Sequence, residues 1–475
     1  MNLPNSQPAG HGAWIAERVY GVIVPSILWF RRDLRLMDNP ALIAAVEAAR
    51  ADGDGRVVPL FVIDPALWDR AGAARQNYLV NSLDSLGASI GRNLLIRHGD
   101  PRTVVAAVVA ASGAQSVHIA ADFGPYGQAR DTAVEAALNV PLVRTGSPYA
   151  VAPGRVNKDD GTAYRVYTPF YRAWLRHGWR APAKDAPHDI DWWMPMECQG
   201  RPTPADLGDI VLPPAGEQAA WDRWALFQSR SLADYDELRN RADLDGTSVM
   251  SHHLKYGEVH PRALLAELSD DDEVYRKEIC WREFYADVLF RHPSSASTSL
   301  DTRFDDDMRW ASGPQAEANF VAWQEGRTGF PFVDAGMRQL LAEGWMHNRV
   351  RMVVASFLIK DLHIPWQRGA QHFMDLLRDG DLASNAHGWQ WTAGSGTDAS
   401  PFYRVFNPIT QGLKFDPDGD YVRRYIPELR HLPGKSVQEP WLSVEGCTGG
   451  YPEPIVDHKI EREVALADFA AIKRS

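Results

Sequence analysis

The sequence predicts an α/β, doubly wound parallel-sheet domain followed by an all-α domain. Three observations predict it. Short β-branched runs alternate with helical segments over residues 26–147, and after Gln218 only helical periodicity remains. At 475 residues the chain is also too long for one compact core.

The first half reads as a regular series. "ILWF" is a strand, "NPALIAAVEAARA" a helix and "VVPLFVI" a second strand. "NYLVNSLDSLGASI" is helical, "NLLIRHG" a strand and "PRTVVAAVVAASG" a helix. "SVHIAA", a helix through "RDTAVEAAL" and the strand "VPLVRTG" close it. Strands separated by helices of this length pair in parallel. "FRRDLRLMDNP" follows the first strand in place of a glycine-rich phosphate fingerprint, which argues against a dinucleotide site of that type. Residues 1–25 read as a loose N-terminal extension without the basic end and apolar core of a signal peptide. Residues 148–220, rich in Pro, Gly, Trp and charge, read as an interdomain linker, and residues 221–475 as the helical domain.

Composition excludes several classes. No apolar run reaches the length of a membrane span. Three scattered cysteines show no metal-ligand spacing and fit a reducing cytoplasm, so no metal site is expected. A net charge of −11 argues against nucleic acid only as an average, because a local basic groove can coexist with it. Residues 338–378 carry six Lys or Arg against three Asp or Glu. A solvated helix face accounts for such a run, but here the charges are interleaved with Trp and Met and need partners.

Four stretches carry chemistry. "DGTSVMS" (Asp245 to Ser251) offers three hydroxyls in a turn, either as a helix cap or as a phosphate cradle. In "KEICWREFY", helical spacing puts Glu278 beside Trp281 and Arg282, and Trp281 beside Tyr285. A carboxyl there can hydrogen-bond a base edge while the indole stacks on it, although an ion pair beside core aromatics reads equally well. In "GWMHNRVRM", Asn348, Arg351 and Met352 project together. In "DGDLASNAHGWQW", Asn385 and Trp389 lie four apart, and Asp379 and Asp381 can accept from ribose hydroxyls or pair with Arg351. An amide, an indole and carboxylates without a nucleophile suit a pocket that leaves the hard chemistry to a redox cofactor.

Together these stretches resemble the DNA photolyase and cryptochrome family, closest to its class I cyclobutane pyrimidine dimer enzymes. The likeness runs from "LWFRRDLRLMDNPAL" through "TGFPFVDAGMRQL" to "GTDASPFYRVFNPITQGLKFDPDGDYVRRYIPEL". It implies a non-covalent FAD in the helical domain, with Tyr235, Thr247, Ser248, Val249, Met250 and Ser251 at its phosphates. Arg351, Asp379, Gly380 and Asp381 fall on the flavin and ribose side, and Asn385 at the flavin N5. Trp389, Trp366 and Trp310 match an electron relay to the surface. Glu278, Trp281, Tyr285, Asn348, Met352 and Trp391 match the lesion pocket, with Arg239, Arg282, Arg349 and Arg404 toward the DNA backbone.

The implied activity is light-dependent splitting of dimers in UV-damaged DNA by a cytoplasmic monomer using reduced, anionic FAD. A cryptochrome-type blue-light receptor is the alternative. Asn385, in place of the aspartate or cysteine typical of plant and insect cryptochromes, favours repair. Asn348 and Met352, in place of two histidines, resemble the cyclobutane-dimer class. For an antenna chromophore, Tyr126 and Gly127 stand where a folate-binding Asn-Glu pair is expected. A methenyltetrahydrofolate antenna is therefore not expected; 8-hydroxy-5-deazaflavin is the preferred alternative, and an empty antenna site is the other.

Overall fold

The computed structural model describes residues 24–473 except 54, 184–186, 188 and 398–402. All but two residues of the expected N-terminal extension therefore lie outside the described residues, as does part of the "GTDASPFYR" motif. No described helix is long and apolar enough to cross a membrane.

Five strands form the sheet expected from the alternation: β1 (Ser26–Phe30), β2 (Arg56–Ile63), β3 (Leu95–His98), β4 (Val117–Ile119) and β5 (Leu142–Arg144). They run in the order β3-β2-β1-β4-β5, all parallel, with Ile27 opposite Val58 on one side and Val117 on the other. The central strand β1 is buried along its whole length, as a strand covered on both faces must be. Asn39 before Pro40 and Asp100 before Pro101 start two of the crossover helices, each side chain accepting a free N–H of the first turn. The strand order reverses between β1 and β4, which opens a crevice at their carboxyl ends.

The stretch expected to link the domains carries structure of its own. It holds the helix α1 (Tyr167–His177) and a two-residue strand, β6 (Asp191–Trp192), which pairs with the start of β2. α1 packs into the same core as α2 (Glu273–Arg291) in the helical half. The seam between the halves is polar and buried. Glu258 accepts from Tyr78 at 3.0 Å, Ser82 at 2.6 Å and the Gly216 N–H at 2.7 Å. Arg262 pairs with Asp38 across the same seam, its Nε donating to both carboxylate oxygens at 2.8 and 2.9 Å.

Glu283 on α2 is buried and accepts from the N–H groups of Ala150 and Val151 and from Trp174 Nε1 at 2.7 Å. Burial pushes its carboxyl up to about 7 from an ordinary 4.5, against the pull of those donors. The folded chain thus holds a proton that the unfolded chain has lost between those values. This contribution to stability is complete below about pH 4.5 and is lost as pH rises through about 7. Glu283→Gln, which retains an acceptor for Trp174, is expected to flatten the fall in stability across that window. Urea midpoints at a series of pH values measure it, and an unchanged slope would count against the assignment.

Candidate functional site

The site is built where four helices of the second half converge: α3 (Ser251–Tyr256), α4 (Asn348–Lys360), α5 (Trp366–Leu376) and α6 (Leu382–Ala393). α4 is buried over its last eight residues, six of them apolar, which fixes its first two turns, with exposed Asn348 and half-buried Met352, at the edge of the site. α6 packs on both α4 and α5, and this closeness depends on Gly369. A Cβ there would come within 2.1 Å of the Trp389 ring.

The "DGTSVMS" turn does more than cap a helix. Val249 sits at φ +53°, a left-handed conformation that is costly for a β-branched residue and persists only where the surroundings enforce it. They do. Arg223 donates to the Ser248 carbonyl at 2.9 Å and to Asp245, and Tyr275 donates to Ser248 Oγ at 2.9 Å. Tyr235 packs edge-on against Tyr275 with ring centroids 5.2 Å apart. Thr247 and Met250 complete the turn, Met250 buried and Thr247 half-buried.

Ser251, the first residue of α3, donates to Asp379 Oδ2 at 2.6 Å, and Arg351 Nη2 reaches the same oxygen at 2.9 Å. Burial alone would raise the Asp379 carboxyl, but Arg351 and these hydrogen bonds hold it below the usual range. The next two residues anchor α6. Lys255 Nζ donates to the Gly380 carbonyl at 2.5 Å, and Asp381 Oδ1 caps the helix through the Ser384 N–H at 3.1 Å. Asp381 Oδ2 pairs with Arg32 of the first domain at 2.9 Å. Against the upward push of burial, Arg32 and Lys255 keep that carboxylate well below its ordinary range. One turn further on, Asn385 Nδ2 donates to the Ala370 carbonyl of α5 at 2.9 Å, which sets the orientation of the amide.

The fit of FAD to these residues is judged by what they leave unsatisfied. Asp379 Oδ1, both ring nitrogens of His252 and Arg378 Nε are buried without partners among the described residues. An orphaned acceptor and orphaned nitrogens beside a strained hydroxyl-rich turn match a ligand with sugar hydroxyls and phosphates. The residues fit.

Trp389 and Trp366 are 3% and 1% exposed in one hydrophobic core, with the partly buried Trp310 packed against it. Trp366 Nε1 donates to Ser299 Oγ at 2.9 Å and Trp310 Nε1 to the Phe304 carbonyl at 3.2 Å. Trp323, fully buried and edge-on to Trp389 at 6.2 Å, adds an indole beside this series, and an isolated tryptophan carries no spacing signal that would single it out.

On α2, Glu278 pairs with Arg239 at 2.6 Å. Burial raises its carboxyl pKa, and Arg239 opposes that rise. Trp281 is stacked by Tyr167 of α1 at 3.6 Å and 7°, so one face of the indole is already covered. Tyr285 stacks on His387 at 5.7 Å, and Arg349 donates to Asn240 at 2.6 Å.

One expected position differs in the structure. Arg282, expected toward DNA, is turned inward. It donates to the Pro148 and Leu254 carbonyls at 2.9 and 3.1 Å and lies 4.6 Å from the centre of the Tyr149 ring. Helical spacing gave its face but not the carbonyls it meets there. Trp391, expected with Glu278 and Asn348 in the lesion pocket, also lines a cavity of about 220 Å³ together with Lys360 and Arg404. Neither Glu278 nor Asn348 is on that cavity's wall.

Comparison with known proteins agrees with this geometry. A family profile described as DNA photolyase matches residues 26–188, and one described as the FAD binding domain of DNA photolyase matches residues 275–471. A deoxyribodipyrimidine photo-lyase of Agrobacterium fabrum is 40% identical, with 95% of this chain and 98% of that protein aligned. The crystal structure of a bacterial class III photolyase from Agrobacterium tumefaciens superposes with a TM-score of 0.87 at 39% identity, covering 98% of this chain and 100% of that one. A Synechocystis cryptochrome superposes with a TM-score of 0.83 at 27% identity, covering 93% and 99%. The sheet, the helical site with its unsatisfied polar atoms and these matches over nearly the full length agree, and the chain belongs to the DNA photolyase family.

Proposed function

We propose that this protein splits cyclobutane pyrimidine dimers in UV-damaged DNA in a light-dependent reaction. The observation that carries the reading is the meeting of two groups on adjoining helices. The carboxylates and amide of Asp379, Asp381 and Asn385 are placed to hold FAD, and Glu278 with Trp281 is placed to meet two joined pyrimidines of one strand. Bound, reduced FAD supplies the photochemistry, an electron lent on excitation and taken back after the ring opens.

The chain's own residues do the rest. Photolyases are themselves among the enzymes known to take a base out of the stack, and a poorly stacked dimer lowers that cost. Trp281, backed by Tyr167, offers its second face to the dimer, where stacking contributes roughly 1–3 kcal/mol per base. Glu278, with its carboxyl pKa raised, donates a hydrogen bond to a dimer carbonyl when protonated and thereby stabilises charge arriving there. Arg349 and Arg404 bind backbone phosphates, so affinity falls with salt. Asn385 would hold its amide toward the bound cofactor, Arg351 keeps Asp379 ionised, and Trp389, Trp366 and Trp310 would relay electrons to that cofactor from the surface.

The test mixes reduced protein with a thymine-dimer oligonucleotide. Repair in light and none in the dark is expected, and no repair under either condition would leave the cryptochrome-type receptor, favoured by the Synechocystis likeness. Glu278→Ala is expected to lower repair roughly tenfold, the effect of one lost charge-assisted hydrogen bond of about 1.5 kcal/mol. Normal yield at matched DNA binding would remove the assigned role.

For the antenna, the crevice at the carboxyl ends of β1 and β4 places Arg31 and Arg130 over the Trp29 ring, at 4.9 and 5.3 Å from its centre. Trp29 Nε1 and Asp33 Oδ2 are buried there without partners among the described residues, a donor and an acceptor suited to a flat heteroaromatic ligand. An 8-hydroxy-5-deazaflavin fits that description. The purified protein is then expected to show an absorption band beyond those of flavin, and a pure flavin spectrum from a host that makes deazaflavin would exclude it. The protein acts as a cytoplasmic monomer in this reading.

A further inference from the structure

The loop that follows β1 joins the two halves of the molecule at the cofactor site. Arg31 turns toward the crevice of the first domain, donating to Asp131 at 2.5 Å and to the Ala120 carbonyl. Arg32, the next residue, turns toward the helical half and donates to Asp381 Oδ2 at 2.9 Å. The backbone of this loop rests on the end of α3, where the Leu34 N–H donates to the Tyr256 carbonyl at 3.1 Å. A Cβ on Gly257, at φ +69°, would come within 1.9 Å of the Arg32 carbonyl oxygen. One loop of the first domain therefore touches both α3, which begins with Ser251, and α6, which carries Asn385.

Asp381 is the joint of this contact. Its Oδ1 accepts the Ser384 N–H at 3.1 Å and its carbonyl accepts the Asn385 N–H at 2.9 Å, so it fixes the first turn of α6. Its carboxylate charge is met by Arg32 directly. Lys255 and Arg282, both engaged on backbone carbonyls, act on it through space. Arg32 also feels Asp122, which pairs with Arg130 in the crevice at 3.3 Å, and lies 6.0 Å from the centre of the Tyr149 ring. The side chains of Arg32 and Asp381 are 29% and 16% exposed. Solvent screens such a pair only in part, and removing one partner leaves the other charge poorly compensated.

We propose that Arg32 is a positioning residue for the flavin site: acting through Asp381, it fixes the start of α6, and with it the Asn385 amide, and cancels a carboxylate charge that would otherwise oppose reduced, anionic FAD. The inference rests on the FAD reading above. Without Arg32, the Asp381 carboxylate loses its hydrogen-bonded cation and disfavours a second negative charge nearby. The midpoint potential of the bound flavin then falls.

Potentiometric titration of the holoprotein reads this directly. Arg32→Ala is expected to move the reduced-to-oxidised flavin ratio at fixed potential about tenfold toward oxidised, the size by which one neighbouring charge commonly moves a buried equilibrium. For a two-electron couple that is about 30 mV. Arg32→Lys is expected to undo most of the shift, because it returns the charge. Adding Asp381→Asn to Arg32→Ala is expected to cancel it as well, since asparagine keeps the cap of α6 and removes the unbalanced carboxylate. A purely structural contact would instead lower the melting temperature and leave the potential where it was. An unchanged potential in Arg32→Ala, or one that falls further in the double variant, would overturn the proposal. Failure of the FAD reading would show earlier, in an unaltered protein that takes up no flavin, and would remove the proposal with it. Flavin uptake with the expected shifts but no dimer splitting would keep the proposal and remove the repair reading.

Discussion

Trp389→Phe protein carrying oxidised flavin is expected to stay oxidised under blue light in the presence of a reductant, while the same protein reduced chemically beforehand repairs dimers at close to the normal yield. Trp389 is 3% exposed and lies on the same helix as Asn385, one turn away, so in the proposed relay it is the last indole an electron leaves on its way to the flavin position. Phenylalanine keeps most of the ring volume packed against Phe373 and Gly369 but is far harder to oxidise. The fold should survive the smaller ring, at a cost of about 1–3 kcal/mol for the volume removed from the core. Absorption spectra during illumination measure the first half and a dimer-splitting assay the second. Loss of both activities together would mean that Trp389 supports the cofactor rather than the relay, and unchanged photoreduction would move the electron path elsewhere, with Trp323 at 6.2 Å the next indole to test.

The second large effect is expected at Asp379. Its Oδ2 is shared by Ser251 and Arg351, and its Oδ1 has no protein partner among the described residues. Asp379→Ala removes the acceptor offered to the ligand and leaves Arg351, a quarter exposed, without its counter-charge. Losing a charge-assisted hydrogen bond weakens binding by roughly 10–100-fold. The variant should purify largely without flavin and take it up only at high concentration, as read by flavin fluorescence during titration. Normal retention would place the ligand's hydroxyls away from Asp379. Asp379→Asn separates charge from shape: it keeps an acceptor, so intermediate retention is expected.

Periodicity and composition alone determined much of this molecule. The alternation over residues 26–147 specified a parallel sheet because short runs rich in Val, Leu and Ile alternate with helices that begin at an Asn or Asp before proline, or at a glycine. Spacings of three and four placed Asn385 with Trp389 and Glu278 with Trp281 on single helix faces, and the structure keeps both pairs on such helices. These features are local, and a helix repeats every 3.6 residues whatever surrounds it.

What those faces meet was decided by tertiary structure. Arg32 and Asp381 are 349 residues apart, yet their ion pair fastens the helix that carries Asn385 to the first domain. Tyr167 comes from a stretch that reads as linker and covers one face of Trp281. Arg282 looks like a free cation on its helix but ends on two carbonyls, and Trp391 ends on the wall of a cavity that Lys360 and Arg404 also line. Helical spacing fixes the direction in which a side chain leaves its own backbone. The partner it finds depends on which distant segment the core packing brings opposite, and no spacing within one segment records that.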